Sequence, residues 1–179
     1  MSSEPLVRSV ELILLNGPLG VGKSTLGEVL GEALPQSVML DGDSLLALNP
    51  APEDEIQTLH AIISLLVRHH VDAGFRRFII PHYWSSPDEI CDLNLRINEV
   101  GLEAKIHLFR LHLSKDQNIR RILLRRQSRA LDEADFEDAH FAEEFTHLSK
   151  AKGIELGIPF DASDKPDVLA KRILHLLNC

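Results

Sequence analysis

Two rhythms of apolar residues alternate along this chain. Val10 to Leu15 is an almost unbroken apolar run, the pattern of a strand buried on both faces. From Ser24 to Ala33 the positions Leu26, Val29, Leu30 and Ala33 recur at helical spacing. Pro35 breaks the chain, and Ser37 to Leu40 predicts a second strand that ends in Asp41-Gly42-Asp43. After a Pro50-Ala51-Pro52 turn, Ile56, Leu59, Ile62, Ile63, Leu66 and Val67 mark a long amphipathic helix ending at Gly74. Phe75 to Ile80 predicts a third strand, terminated by Pro81. Ser86-Pro87-Asp88-Glu89 reads as a capping box that opens a helix running through Val100, with Gly101 closing it. Ala104 to Leu111 predicts a fourth strand, and Ser114-Lys115-Asp116-Gln117 a second capping box. The acidic stretch Asp132 to Glu144 reads as helix or loop. Ile158 to Asp161 reads as a short fifth strand, and Asp164 caps a last helix, Pro166 to Leu177.

Between the first strand and the first helix lie Gly17-Pro18-Leu19-Gly20-Val21-Gly22-Lys23-Ser24, which match G-x-x-x-x-G-K-[ST]. Strand, glycine loop, helix is the order in which this pattern cradles a polyphosphate with backbone N–H groups and a helix N-terminus. Lys23 is expected at the β- and γ-phosphates and the Ser24 hydroxyl at Mg²⁺. Thr25 completes the segment. The bland alternative is a glycine turn at a helix start. A dinucleotide fingerprint is excluded by spacing, because Gly17, Gly20 and Gly22 do not form G-x-G-x-x-G. Strands separated by helices predict an α/β three-layer P-loop NTPase fold, a five-stranded parallel sheet with helices on both faces. Ligands are then expected beyond the strand C-termini.

A chain of 179 residues suits one domain, taken as 1–179. Its apolar runs are too short for a membrane span, and no signal-like core follows its N-terminus. Cys91 and Cys179 make no disulfide framework or C-x-x-C pattern, so a cytoplasmic setting is expected, with Cys91 a small core residue. The net charge of −8 disfavours a general nucleic-acid binder. Charge is unevenly spread, however. Between Arg110 and Arg129, Arg110, Lys115, Arg120, Arg121, Arg125, Arg126 and Arg129 face the single acid Asp116. Such a helix is either a solvated basic face or an anion clamp, and the nearby phosphate loop favours the clamp.

On these residues the chain resembles the small P-loop kinases of the nucleoside-monophosphate-kinase-like group, including gluconate-kinase-like, shikimate-kinase-like and chloramphenicol-phosphotransferase-like proteins. Gly17 to Thr25, Leu40-Asp41-Gly42-Asp43, Arg120 to Arg129 and Phe160-Asp161-Ala162-Ser163 carry the likeness. The resemblance implies an ATP- and Mg²⁺-dependent kinase acting on a small hydroxylated acceptor. It places Asp43 at the acceptor hydroxyl and Arg121 and Arg125 in a lid, about 114–135, over the phosphates and the adenine. Ala162 and Ser163 would flank the adenine. One departure is the third strand, which ends Ile80-Pro81-His82 without the carboxylate that often holds Mg²⁺. Asp43 or Asp41 is then the candidate metal partner.

Two residues apart on a strand, Asp41 and Asp43 would share a face, although Asp-Gly-Asp is also turn chemistry. His82, Tyr83 and Trp84 follow the third strand and either bind the acceptor by stacking or cap the core. Nine histidines do not assemble a zinc pattern. His107 and His112 face opposite sides of a strand, while His140 and His147 could share a helix face. Asn-Lys-x-Asp is absent, which argues against a GTP switch; an ATP-binding regulatory or weakly hydrolytic module is the alternative to a kinase. Acceptor identity and oligomeric state are not encoded in any motif found.

Overall fold

A computed structural model describes residues 8–127 and 134–177. Arg129, Cys179 and the 128–133 part of the expected lid therefore lie outside the described residues. The elements are β1 (Arg8–Asn16), α1 (Lys23–Ala33), β2 (Ser37–Met39), α2 (Gly42–Leu45), α3 (Glu55–Asp72), β3 (Arg77–Pro81), α4 (Pro87–Glu99), β4 (Leu102–His112), α5 (Lys115–Arg126), α6 (Ala134–Lys150), β5 (Ile158–Asp161) and α7 (Pro166–Leu177). The sheet order is β2-β3-β1-β4-β5, and every neighbouring pair is parallel.

Central β1 explains why its sequence is continuously apolar. Val10, Leu12 and Leu14 pack towards Leu59, Ile63 and Val67 of α3 and Leu93 and Ile97 of α4. Ile13 and Leu15 pack the other way, against Leu26 and Leu30 of α1 and Leu169 and Ile173 of α7. Each face of the strand needs apolar side chains because each carries a helical layer. Helix α1 sits close to the sheet: a Cβ at Gly27 would stand 2.9 Å from Pro81 Cγ and 3.1 Å from Met39 Sδ.

Several boundaries shift for local reasons. Phe75 and Arg76 precede β3 because they close α3: the Phe75 N–H bonds His70 O after Gly74 turns the chain at φ +100°. Pro81 belongs to β3, beside Leu15. It lies past the end of β2, whose last partner pair is Met39 with Ile79, so its missing N–H has no strand to face there. Ser114 and Gln117 form the full capping box of α5. At α4 only half a box forms. The Ser86 side chain accepts from the Glu89 N–H, whereas the Glu89 carboxylate turns to Ser85. The acidic stretch is helical from Ala134. Cys91 lies on the exposed side of α4 rather than in the core. The buried positions of that helix, Leu93 and Ile97, define a face that Cys91 does not share.

Candidate active site

Side chains at the carboxyl edge of the sheet tie its loops to the glycine loop. Gly22 caps α1 in a left-handed conformation, φ 103°, which leaves the first turn of the helix open to an anion. Gly20, at φ +77°, lets α5 approach: a Cβ there would overlap Ile122 Cγ1. Asn118, fully buried on α5, donates to the Leu19 carbonyl. Arg121 bridges two loops, donating to Val21 O at 2.7 Å and to Ala162 O at 2.9 Å. Asn16 does the same on the other side. Its Oδ1 accepts from Gly17 N and Trp84 N, and its Nδ2 donates to Trp84 O and Leu156 O. Asn16 and Asn118 escaped sequence reading because an asparagine beside a loop is ordinary turn chemistry. Their one signal is a polar residue at an otherwise apolar position of its element.

Lys23 is nearly buried, and its Nζ donates to Gly17 O at 2.7 Å. Burial lowers its pKa, while Glu144, Asp43 and Asp41 pull the other way. A buried ammonium folded back on its own loop is one that an entering phosphate can recruit.

Asp41 and Asp43 do not share a strand face, contrary to the strand periodicity. The chain turns helical at Gly42, so Asp41 caps α2 through Ser44 N, and Asp43 sits in its first turn. The carboxylates diverge. Asp41 Oδ2 accepts from Ser24 Oγ at 2.6 Å. Asp43 Oδ1 lies 3.4 Å from His82 Nδ1, and this close polar contact is the main cause holding its carboxyl below the ordinary range. Gly42 is fitted to this pairing, since a Cβ would stand 2.6 Å from His82 Nδ1.

Of the three residues after β3, only two face the cleft. Tyr83 and His82 line it; Trp84 is fully buried and belongs to the core. Its ring stacks on His60 and meets His82 edge-on, which fills the space beneath the cleft floor. The Tyr83 hydroxyl lies 2.9 Å from His147 Nδ1 on α6. His140 instead packs against Phe136.

Helix α6 supplies an unforeseen carboxylate. Glu144 Oε2 accepts from Leu19 N in the glycine loop at 2.6 Å, and burial raises its pKa. Glu137, also on α6 and buried, binds Arg125 at 2.5 Å and Arg126 at 2.7 Å. The basic helix is thus partly neutralised by the acidic one that follows, and Arg125 is turned to Glu137.

Two cavities result. One, about 640 Å³, is lined by Gly20 to Leu26, Arg121, Ala162 and Asp164, with Ser163 adjoining in sequence. The other, about 1440 Å³, extends past His82 and Tyr83 under α6. They share Leu19, Asp43 and Arg125.

No family model matches the chain, and no curated protein sequence does. Solved structures do. A tunicamycin resistance protein from Deinococcus radiodurans is 18% identical, with 94% of this chain and 95% of that one covered and a TM-score of 0.62. A sugar kinase from Janibacter sp. is 15% identical, covering 95% of each chain at a TM-score of 0.67. The fold is that of the P-loop kinases. A gluconokinase from Sinorhizobium meliloti shares it as well, at 16% identity, 96% and 97% coverage and a TM-score of 0.59. Among the described residues no helix is long and apolar enough to cross a membrane.

Proposed function

We propose that this chain is an ATP-dependent phosphotransferase that moves the γ-phosphoryl group to a hydroxyl of a small molecule. The observation that carries this reading is the pair of cavities meeting at Leu19, Asp43 and Arg125. A donor and an acceptor bound there would present phosphorus and oxygen to each other at one point, which is most of what phosphoryl transfer requires.

ATP would lie with its phosphates on Gly17 to Thr25, its γ-phosphate near Lys23, and its base beside Arg121 and the Ala162-Ser163 loop that Arg121 holds. Asp43 would accept the proton of the acceptor hydroxyl as that oxygen bonds to the γ-phosphorus. The bond to the β-bridging oxygen breaks, and ADP leaves. His82 would orient Asp43 and keep it ionised. Arg125, released from Glu137, would stabilise the equatorial oxygens, making the region 114–135 a lid together with α6.

The residues present fit Mg²⁺. An exposed Ser24 hydroxyl 2.6 Å from a carboxylate is the sparse protein contribution that Mg²⁺ takes beside phosphates and waters. Ser24 and Asp41 would hold it, and the ion would neutralise charge on the β- and γ-oxygens. Asp41 thereby replaces Asp43 in the metal role. Two cysteines and a net charge of −8 fit a cytoplasmic enzyme acting on small molecules rather than on nucleic acid.

The test is ADP release with ATP and Mg²⁺ across a panel of hydroxylated metabolites, for the wild type and Lys23→Ala. Acceptor-dependent release that Lys23→Ala abolishes, with its circular dichroism unchanged, supports the reading. Nucleotide binding without acceptor-dependent release from any compound favours the ATP-binding regulatory or weak ATPase module instead.

A further inference from the structure

The acceptor-side cavity carries a sign. Besides Asp43, five carboxylates line it: Glu55 at the start of α3, Glu89 on α4, and Glu137, Glu143 and Glu144 on α6. Among the described lining residues the fixed positive charges are Arg125 and Lys150. Arg125 is held by the buried Glu137, and Lys150 stands exposed at the very end of α6. His82, His140 and His147 contribute ring nitrogens.

The field is felt at Tyr83, in the wall of this cavity. Burial comes first in pushing its hydroxyl up to about 12, and Glu144, Glu143 and Glu89 add to it in that order. Carboxylates from two separate helices therefore line the same cavity as this aromatic side chain. Phe136, an exposed ring of α6, supplies a second aromatic face to the same cavity.

A sugar acid needs the opposite lining. Carboxylate acceptors are gripped by guanidinium forks, and here the guanidinium of Arg125, paired with Glu137 at rest, is committed to the transferring phosphoryl group when released. An ammonium group, by contrast, gains from carboxylates and from aromatic faces alike. We propose that the acceptor is a hydroxylated amine, an amino sugar, aminocyclitol or amino alcohol, whose ammonium is held by Glu89 and Glu143 around Tyr83 while its hydroxyl reaches Asp43. This rests on the phosphotransferase reading above and adds the charge of its substrate.

The test is a panel matched in shape and differing in charge: glucosamine and 2-deoxystreptamine, glucose and myo-inositol, gluconate and shikimate. ADP release with Mg·ATP is scored as kcat/KM, beside the affinity for a fluorescent ATP analogue. The ammonium compounds are expected to exceed their neutral counterparts at least about tenfold, in proportion to a part-buried charge pair. N-acetylglucosamine, which has lost the charge, should fall back to the level of glucose. Glu143→Gln, an exposed position with little packing to lose, should raise KM for the amine about two- to fivefold. Best turnover with neutral sugars or sugar acids, or full activity on N-acetylglucosamine, overturns the charge assignment and leaves the phosphotransferase standing. Normal ATP-analogue binding with no release from any compound overturns both.

Discussion

Asp41 turns its carboxylate to Ser24 and Asp43 turns to His82, while Gly42 between them has no room for a side chain. The separation makes a prediction that the Asp-Gly-Asp string could not. Asp41→Asn should raise the Mg²⁺ concentration needed for half-maximal rate, because Asn is a poorer partner for a hard cation. Asp43→Asn should leave that concentration alone and cost about 10²–10⁴-fold in kcat, the usual loss on removing a general base. A Mg²⁺ titration at saturating ATP measures both; a shifted midpoint in Asp43→Asn alone would reverse the assignments. Asp43 lines both cavities, and the placing of both aspartates just past a strand was legible. Their division of labour was not, since strand periodicity gave them one face and the chain turns helical at Gly42. Trp84 was equally ambiguous, because an aromatic residue after a strand serves a core or a cleft with the same sequence.

At the scale of elements, α6 governs what α5 and the glycine loop present to a ligand. Its Glu144 accepts from Leu19 N, and its Glu137 holds Arg125. Neither contact was readable, since both depend on how a helix folds back across the sheet edge rather than on any local spacing. A carboxylate on the glycine loop opposes an incoming polyphosphate. Glu144 has a raised pKa, mainly from burial, so its proton is retained to a pH above the ordinary value of 4.5. ATP affinity of the wild type should therefore weaken as pH rises through that raised pKa, beyond what ATP's own titration causes. Glu144→Gln should remove the excess and bind ATP several-fold more tightly above it. The same sign applies to folding: a raised carboxyl pKa contributes stability below the unfolded value that is lost as pH rises through the folded one. Glu144→Gln should thus also raise Tm on the alkaline side. Isothermal titration and thermal scans of both proteins against pH decide it, and parallel curves would show that Glu144 stays clear of the phosphates.

At the scale of the whole molecule, the sheet order and the two helical layers follow from patterns that span the chain. A continuously apolar β1 demanded helices on both faces, and α1 with α7 and α3 with α4 provide them. What the pattern left open is where core ends and cleft begins, and the boundary runs between Tyr83 and Trp84. Trp84 is fully buried, its ring 5.9 Å from that of His60 and 5.3 Å from that of His82. Tyr83 reaches the cavity and His147. Trp84→Phe leaves a partial void in a packed layer and should destabilise by about 2 kcal/mol. In a chain of this size that is a fall in Tm on the order of 4–8 °C. Acceptor KM should stay within about twofold, well inside the roughly 1 kcal/mol that a lost aromatic contact would cost. Tyr83→Phe should behave oppositely. It keeps the ring and removes only the hydroxyl, so Tm should barely move, while acceptor KM should rise if the hydroxyl and His147 help to frame the bound molecule. Thermal scans and acceptor saturation curves for the two variants separate the roles. A Trp84→Phe protein with unchanged Tm and a displaced KM would move the core boundary one residue further along the chain.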